Sequence, residues 1–194
     1  MNEEIIMAGF GGQGVMLMGN ILAYAGMKEQ KEVSWIPSYG PEMRGGTANC
    51  TVIVSDNKIP SPMPSKPDSL IAMNFPSLNK FMEQVKSDGL IFINSSLVNK
   101  EVSVKETEIV NVPAGDIASD LGNDRVANMI ILGAYVTKTK IVGLNTVKNA
   151  LKWALSENKH DLIPLNEEAL ERGKEIIKSG VYKNKLCNDL EEIR

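Results

Sequence analysis

Apolar and polar residues along the chain alternate between short strand-like runs and longer helical stripes. The apolar runs are bounded by glycine, proline or polar turn residues, which is typical of strands buried in a sheet. The predicted strands are residues 5–8, 33–36, 47–54, 70–73, 90–93 and 108–112. Elsewhere apolar residues recur at three- and four-residue spacing, which predicts amphipathic helices. These stripes cover residues 15–25, 78–85, 126–134 and 147–155, and Asn166 is predicted to cap a further helix.

The order of these elements predicts the fold class. Parallel strands need long crossover connections, usually helices, so strands that alternate with helices are typical of α/β proteins. We expect an α/β, doubly wound and mostly parallel sheet of Rossmann-like type with helices on both faces. The prolines between residues 60 and 67 indicate an extended connection and require no second domain. We therefore predict a single domain over residues 1–180 and a C-terminal helix or tail over residues 181–194.

A glycine turn follows the first predicted strand and begins the first predicted helix. Gly9, Gly11 and Gly14 have the spacing that permits a tight turn, a close approach of backbone to a phosphate, and close helix–strand packing. Gln13 adds an amide that can reach a ligand or cap the helix. A dinucleotide site also needs an acidic residue about 20 positions further on, where the sequence has Trp35 instead. NAD or FAD, another phosphate-bearing ligand and a purely structural turn all stay open.

A second unusual loop separates the second and third predicted strands. Residues 37–46 contain two prolines and three glycines, which interrupt both helix and strand. If the second strand runs parallel to the first, this loop lies at the edge where α/β sheets bind ligands. Arg44, followed by Gly45 and Gly46, offers a fixed cation beside backbone amides that can form an anion-binding concavity. Alternatively, Glu42 and Arg44 pair with each other or with solvent on a surface turn.

Composition excludes several classes of function. A formal charge of −3 over 194 residues gives no field to hold a polyanion, so nucleic acid is not expected as a partner. The acidic start and the lack of an apolar run of about 20 residues favour a cytoplasmic protein without a membrane span. Cys50 and Cys187 are far apart, so this chain alone cannot build a cysteine-ligated iron–sulfur cluster or zinc site. His160, the only imidazole, lies in a polar stretch and is interpreted as a solvated loop residue.

Taken together, several motifs resemble the gamma subunit of 2-oxoacid:ferredoxin oxidoreductases, with overall likeness to the 2-oxoglutarate enzyme. The resemblance extends from about residue 4 to residue 155, and the second loop is its most specific element. The motifs that carry it are residues 9–14 (GFGGQG), 38–46 (SYGPEMRGG), 52–56 (VIVSD), 67–68 (PD) and 128–134 (NMIILGA).

The resemblance implies a role in a multi-subunit enzyme. Complexes of this family convert a 2-oxoacid and coenzyme A into an acyl-CoA and carbon dioxide, and pass electrons through iron–sulfur clusters to ferredoxin. Alpha and beta subunits hold thiamine diphosphate and magnesium, and the clusters lie on beta or on a small delta subunit. The gamma subunit packs on them as an α/β domain associated with admitting coenzyme A. For this chain we expect alpha, beta and delta partners, ferredoxin or another acceptor reached through the complex, and no cofactor held alone.

The sequence agrees with that division of labour. Thiamine enzymes bind magnesium and diphosphate through a Gly-Asp-Gly motif with a downstream Asn-Asn, whereas here Gly115 and Asp116 are followed by Ile117. We therefore predict no catalytic residue and no metal ligand on this chain, and an isolated polypeptide that is inactive.

The hypothesis for the ligand site is that both loops hold the nucleotide end of coenzyme A, or a segment of the alpha subunit, beside the thiamine site. The candidate cofactor-binding residues are Gly9, Gly11, Gly12, Gln13, Gly14, Tyr39, Glu42, Arg44, Gly45 and Gly46. Two other functions stay open. One is a free-standing NAD- or FAD-dependent oxidoreductase, which the glycine spacing favours, and the other is a purely structural subunit that bridges its partners.

Overall fold

The computed structural model describes residues 2–40, 46–62, 66–98, 102–180 and Tyr182. Within these ranges the chain forms six strands, six α-helices and three short 3-10 helices (Met82–Gln84, Asp124–Val126 and Glu157–Leu162). The strands are β1 (Asn2–Phe10), β2 (Glu32–Tyr39), β3 (Thr47–Ser55), β4 (Ser69–Ala72), β5 (Leu90–Asn94) and β6 (Glu108–Val112). The helices are α1 (Val15–Lys28), α2 (Phe75–Phe81), α3 (Ala114–Asp120), α4 (Ala127–Thr139), α5 (Leu144–Ala154) and α6 (Ile163–Ser179).

All six strands belong to one sheet with the order β2-β3-β1-β4-β5-β6. The pairs β1–β4, β4–β5 and β5–β6 are parallel, whereas β3 is antiparallel to both β1 and β2. Because β3 is reversed between them, β1 and β2 point in the same direction. The predicted α/β fold with a mostly parallel sheet is confirmed. β3, which lies between β1 and β2, is the one strand that runs antiparallel to the others.

The two faces of the sheet are covered unequally. Ile5 and Met7 of β1 face the larger core, which contains α1, α4, α5 and parts of α3 and α6. Ile6 and Ala8 of the same strand face a smaller core that is closed by α2. All residues of β4 are buried, as expected for a central strand of a parallel sheet. Helices therefore lie on both faces, as predicted.

No helix in the described part of the chain is both long and apolar enough to cross a membrane.

The start of the last helix was predicted at the wrong residue. α6 begins at Ile163, with Pro164 in its first turn, where the missing N–H of proline leaves no hydrogen bond unmade. Asn166 therefore lies inside the helix, where its Nδ2 donates to the carbonyl oxygen of Leu162 at 2.7 Å. The helix ends before Gly180, whose φ of 72° suits a left-handed C-terminal residue. Apart from Tyr182, the predicted tail over residues 181–194 lies outside the described residues.

The short helix α3 was not predicted. It has only seven residues and includes Gly115, so the sequence shows no apolar stripe there. Its first turn is stabilised by side chains at the end of β5 and just after it. Asn94 Oδ1 accepts from the amide of Gly115 at 3.3 Å, and Ser96 Oγ accepts from the amide of Asp116 at 3.0 Å. The helix thus depends on tertiary hydrogen bonds that local sequence does not display.

Candidate functional site

The glycine turn between β1 and α1 depends on two residues with positive φ. Gly12 has φ 105° and Gly14 has φ 72°, a region that side chains with a Cβ rarely adopt. A Cβ on Gly14 would lie 2.2 Å from Asn128 Nδ2, so this position lacks space as well as backbone freedom. A Cβ on Gly12 would meet no described atom within 4 Å. The turn is therefore tightly packed at Gly14 and open at Gly12.

Gln13 connects the ends of two neighbouring strands. Its Oε1 accepts from the backbone amide of Phe10 at 2.7 Å and from Asn74 Nδ2 at 2.8 Å, and its Nε2 donates to the carbonyl oxygen of Met73 at 3.4 Å. Phe10 ends β1 and Asn74 lies just after β4. Gln13 thus does not cap α1, because its Oε1 and one Nε2 proton are used in bonds that hold β1 to β4.

This bridge lies at the point where the strand order reverses. From β1 the chain passes through α1 to β2 on one side of the sheet, whereas β4, β5 and β6 extend to the other side. Open α/β sheets bind ligands in the crevice beyond the carboxyl ends of strands at such a point. The glycine turn therefore occupies the position where the fold class most often places a ligand.

The two unusual loops meet at one edge of the sheet. In the sheet register Phe10 lies opposite Thr47 and Tyr39 lies opposite Ala48. The amide of Gly11 donates to the carbonyl oxygen of Gly46 at 2.9 Å, which joins the loops directly. The carbonyl oxygen of Thr47 also accepts from the amide of Gly40 at 2.9 Å. The structure thus brings together Gly9, Gly11, Gly12, Gln13, Gly14 and Gly46, with Tyr39 at the end of β2.

Three candidate residues, Glu42, Arg44 and Gly45, lie outside the described residues, which resume at Gly46. The geometry of the site therefore rests on the remaining candidates.

The meeting point of the loops is a candidate anion site made of backbone groups. α1 begins at Val15, and the first amides of a helix have no intrahelical acceptor and carry partial positive charge. The backbone at Gly12 is exposed, so a bound group can approach it closely. Tyr39 is 57% exposed at the same edge and offers an aromatic ring. Helix amides, open backbone and an exposed ring together suit a phosphate-bearing ligand.

The geometry is unlike a dinucleotide site in one respect. In such sites the acidic residue that binds ribose follows the strand adjacent to β1. Here β3 separates β2 from β1, and β2 ends in Pro37, Ser38 and Tyr39 without an acid.

Among the described residues, the two reactive side chains outside this site are Cys50 and His160. Burial raises the pKa of the Cys50 thiol to about 12, so this cysteine is not a nucleophile at neutral pH. His160 is half-buried, with its Nε2 3.1 Å from the carbonyl oxygen of Leu155. Throughout the residues that the structure describes, no group of three or more His, Cys, Asp or Glu side chains is placed to hold a metal ion.

Two buried asparagines fix this edge. Sequence reasoning missed Asn74 and included Asn128 only as part of the motif over residues 128–134. Asn74, 4% exposed, accepts from the amide of Ser77 and donates to Gln13. Asn128, 2% exposed at the start of α4, donates through Nδ2 to the carbonyl oxygen of Gly14 at 3.2 Å. Asn74 comes directly after an apolar strand, and this abrupt change from apolar to amide was the available signal.

Comparison with known proteins identifies the family. The family model described as pyruvate ferredoxin/flavodoxin oxidoreductase matches residues 4–176. The chain belongs to this family. It is 32% identical over 187 residues to the 2-oxoglutarate synthase subunit KorC of Methanothermobacter thermautotrophicus, covering 93% of this chain and 97% of KorC. The resemblance predicted from the five motifs is confirmed at the level of the family.

Solved structures share the fold. The gamma subunit of a keto/oxoacid ferredoxin oxidoreductase from Geobacter sulfurreducens superposes with a TM-score of 0.78 at 30% identity, covering 91% of this chain and 99% of that subunit. A 2-oxoglutarate:ferredoxin oxidoreductase chain from Magnetococcus marinus, solved with 2-oxoglutarate, coenzyme A and succinyl-CoA bound, superposes with a TM-score of 0.82 at 23% identity. That match covers 92% of this chain but 31% of the Magnetococcus chain.

Some relatives in the pyruvate ferredoxin/flavodoxin oxidoreductase family are much longer. The ketoisovalerate oxidoreductase subunit VorA of Methanothermobacter thermautotrophicus is 38% identical over 174 residues, which are 89% of this chain and 36% of VorA. The chain thus spans about a third of the length of this relative.

Proposed function

We propose that the chain is the gamma component of a multi-subunit, thiamine-diphosphate-dependent 2-oxoacid:ferredoxin oxidoreductase. The observation that carries the proposal is the match to the family model over residues 4–176, and the hydrogen bond from Gly11 to Gly46, which joins the two unusual loops, agrees with it. The enzyme converts a 2-oxoacid and coenzyme A into an acyl-CoA and carbon dioxide, and passes electrons to ferredoxin or another acceptor. The name of KorC, which matches this chain over nearly its full length, favours 2-oxoglutarate as the 2-oxoacid, whereas the name of VorA favours ketoisovalerate.

The redox and thiamine chemistry belongs, in this proposal, to the alpha, beta and delta partners. Cys50 is buried beneath α1 with its Sγ directed to the carbonyl oxygen of Val15 at 3.7 Å, so it does not fit as a cluster ligand. Thiamine diphosphate, magnesium and the iron–sulfur clusters are held, in this proposal, by the partner subunits. The cytoplasmic location stays a prediction.

The role of this chain is to hold the nucleotide end of coenzyme A beside the thiamine site. The open backbone at Gly12 and the first amides of α1 fit a phosphate or pyrophosphate, and Tyr39 offers a ring for the adenine. Gly9 and Gly14 keep the turn close to its neighbours, while Gln13 fixes it to β4. Arg44, which lies close to Glu42 and Gly45 in the sequence, supplies a charge for the 3′-phosphate.

Arg44→Ala tests the coenzyme A role in the assembled enzyme. Removing one phosphate-binding cation is expected to raise the KM for coenzyme A about tenfold or more, with the KM for the 2-oxoacid unchanged. Lys105→Ala, in which an exposed lysine far along the chain is removed, is the control and should leave both constants unchanged. An unchanged KM for coenzyme A in Arg44→Ala would leave the loops a packing role only and favour a structural bridging subunit.

The dinucleotide alternative has its own test. Calorimetric titration of the isolated chain with NAD, and separately with FAD, is expected to show no binding at micromolar concentrations. Micromolar binding of either would favour a free-standing oxidoreductase.

A further inference from the structure

Asn74 is a buried side chain outside the candidate ligand site that nevertheless reaches the glycine turn. It lies two residues after β4 and is 4% exposed, although asparagine is usually found at the surface. Ser77, in the first turn of α2, is buried as well. A buried amide costs free energy unless its donors and acceptors are paired. The hydrogen bonds of Asn74 therefore explain how an amide is tolerated at this position.

The two ends of the Asn74 amide have different partners. Its Oδ1 accepts from the backbone amide of Ser77 at 2.9 Å, which makes Asn74 the N-cap of α2. Its Nδ2 donates to Gln13 Oε1 at 2.8 Å. Rotation of this amide by 180° would place its NH2 group against the N–H of Ser77, so that two donors face each other. The direction in which the Asn74 NH2 group points is thus set by α2.

Gln13 carries this orientation into the glycine turn. Its Oε1 also accepts from the amide of Phe10 at 2.7 Å, while the backbone amide of Gln13 donates to the carbonyl oxygen of Phe10 at 3.1 Å. A rotated Gln13 side-chain amide would turn its NH2 group towards two donors, the Phe10 amide and Asn74 Nδ2. Gly9 leaves room for this arrangement, because a Cβ there would lie 2.8 Å from Gln13 Oε1. The conformation of the turn is therefore fixed by a side chain that Asn74 holds in place.

The hydrogen bonds within the turn restrict which amides can bind a ligand. The amide of Gly11 donates to the carbonyl oxygen of Gly46, and that of Gln13 donates to Phe10, so both are already used. The first amides of α1, which begins at Val15, have no intrahelical acceptor. They begin two residues after Gln13, so the direction in which they point depends on how the Gln13 side chain is held.

We propose that Asn74 is a positioning residue for the phosphate-bearing end of coenzyme A. Its NH2 group, oriented by α2, fixes Gln13 and thereby the amides at the start of α1. On the other face of the sheet, Asn128 of α4 donates to the carbonyl oxygen of Gly14 at 3.2 Å, so the turn is held between α2 and α4. The inference rests on the proposed function and adds a residue that acts on the ligand through another side chain. A displaced turn weakens the binding of coenzyme A and leaves the chemistry of the partner subunits unchanged.

Steady-state kinetics of the enzyme assembled with its alpha, beta and delta subunits tests this inference. Asn74→Ala and Asn74→Ser both remove the donor to Gln13, but only serine keeps an oxygen that can cap α2. Both variants are expected to raise the KM for coenzyme A by about three- to tenfold, with kcat and the KM for the 2-oxoacid unchanged. Phe81→Ala, which removes a half-buried ring from the end of the same helix, is the control and should leave all three constants unchanged.

A double-mutant cycle shows whether Asn74 acts through Gln13. Gln13→Ala is expected to raise the KM for coenzyme A at least as much as Asn74→Ala, and the double variant should raise it no further than Gln13→Ala alone. Multiplying effects would mean that the two residues act separately and would overturn the inference. A wild-type KM in Asn74→Ser would also overturn it, because the effect of Asn74→Ala would then belong to the cap of α2.

The outcomes also separate this inference from the proposed function. If Arg44→Ala raises the KM for coenzyme A and the Asn74 variants do not, the positioning role is wrong while the proposed function stands. If neither Arg44→Ala nor Gln13→Ala changes this KM, the chain does not bind coenzyme A and both proposals fail. A fall in kcat that the Asn74 variants share with Phe81→Ala would indicate general destabilisation and would contradict the positioning role.

Discussion

Gly14 illustrates how one residue satisfies two constraints at once. It caps α1 in the left-handed conformation, with φ 72°. Because it has no Cβ, it also leaves room for the side-chain amide of Asn128, which donates to the carbonyl oxygen of Gly14. Local sequence indicates the first constraint, because glycine at a turn is a familiar signal. The second depends on a residue 114 positions away.

Gly14→Ala should therefore cost more than backbone strain alone. We expect the free energy of unfolding to fall by about 2–4 kcal/mol, from the left-handed conformation together with displacement of Asn128. Chemical denaturation measures this change. Gly122→Ala is the matched control, because Gly122 has φ 78° but no described atom within 4 Å of a Cβ, and it should cost about 1 kcal/mol. Equal losses in the two variants would contradict the packing role of Gly14.

At the level of elements, α4 and α6 cross at a distance that only glycine permits. A Cβ on Gly173 would lie 1.9 Å from the carbonyl oxygen of Ile130, and a Cβ on Gly133 would lie 2.1 Å from that of Leu170. Each glycine thus fits against the backbone of the opposite helix. Because the obstructing atoms are backbone, they cannot move aside as a flexible side chain would.

Gly173→Ala tests this crossing, and the sign of the result is informative. Within an ordinary helix, replacing glycine by alanine raises the free energy of unfolding by about 0.5–1 kcal/mol. Here we expect the free energy of unfolding to fall by about 3 kcal/mol or more, because α4 and α6 must separate to admit the methyl group. Urea denaturation followed by circular dichroism provides the measurement, with the exposed Lys178→Ala on the same helix expected within about 0.5 kcal/mol of the wild type. A stabilised Gly173→Ala would show that the helices tolerate a wider crossing.

For the molecule as a whole, the edge opposite the loops is held by a partly buried acid. Glu3 of β1 accepts hydrogen bonds from Ser69 of β4 and from Tyr135 of α4, the latter at 3.1 Å. Burial raises the pKa of the Glu3 carboxyl above its ordinary value of 4.5, although these hydrogen bonds act to lower it. Two strands and a helix are thus joined through a group whose charge is disfavoured by its surroundings.

The raised pKa of Glu3 predicts how stability changes with pH. The folded state holds this proton more tightly than the unfolded state. The contribution of Glu3 to the free energy of unfolding therefore falls as the pH rises from 4.5 through the folded pKa, and this loss persists at neutral pH. Glu3→Gln keeps an oxygen that can accept from Ser69 and Tyr135 but does not ionise. We expect its free energy of unfolding, relative to the wild type, to increase between about pH 4 and pH 7. Denaturation at several pH values checks this, and a constant or decreasing difference would contradict it.

Much of the fold could be predicted from local patterns, and the exceptions have identifiable causes. The strands and the helices α1, α4 and α5 carry their own periodicity. α3 was missed because its first turn depends on Asn94 and Ser96, and the start of α6 was misplaced because Pro164, rather than Asn166, marks it. Gln13 was recognised as a candidate, but its bonds to Asn74 and Met73 join strands that are some 60 residues apart in sequence.

The sequence by itself determined the α/β class, the glycine turn, the unusual second loop and the family, because each depends on residue types at short spacing. Only the tertiary structure decided that β3 is reversed between β1 and β2, that the two loops meet through Gly11 and Gly46, and that Gln13 is engaged within the fold. Strand order and side-chain partners are set by which surfaces of distant segments pack together, and that information is distributed over the whole chain.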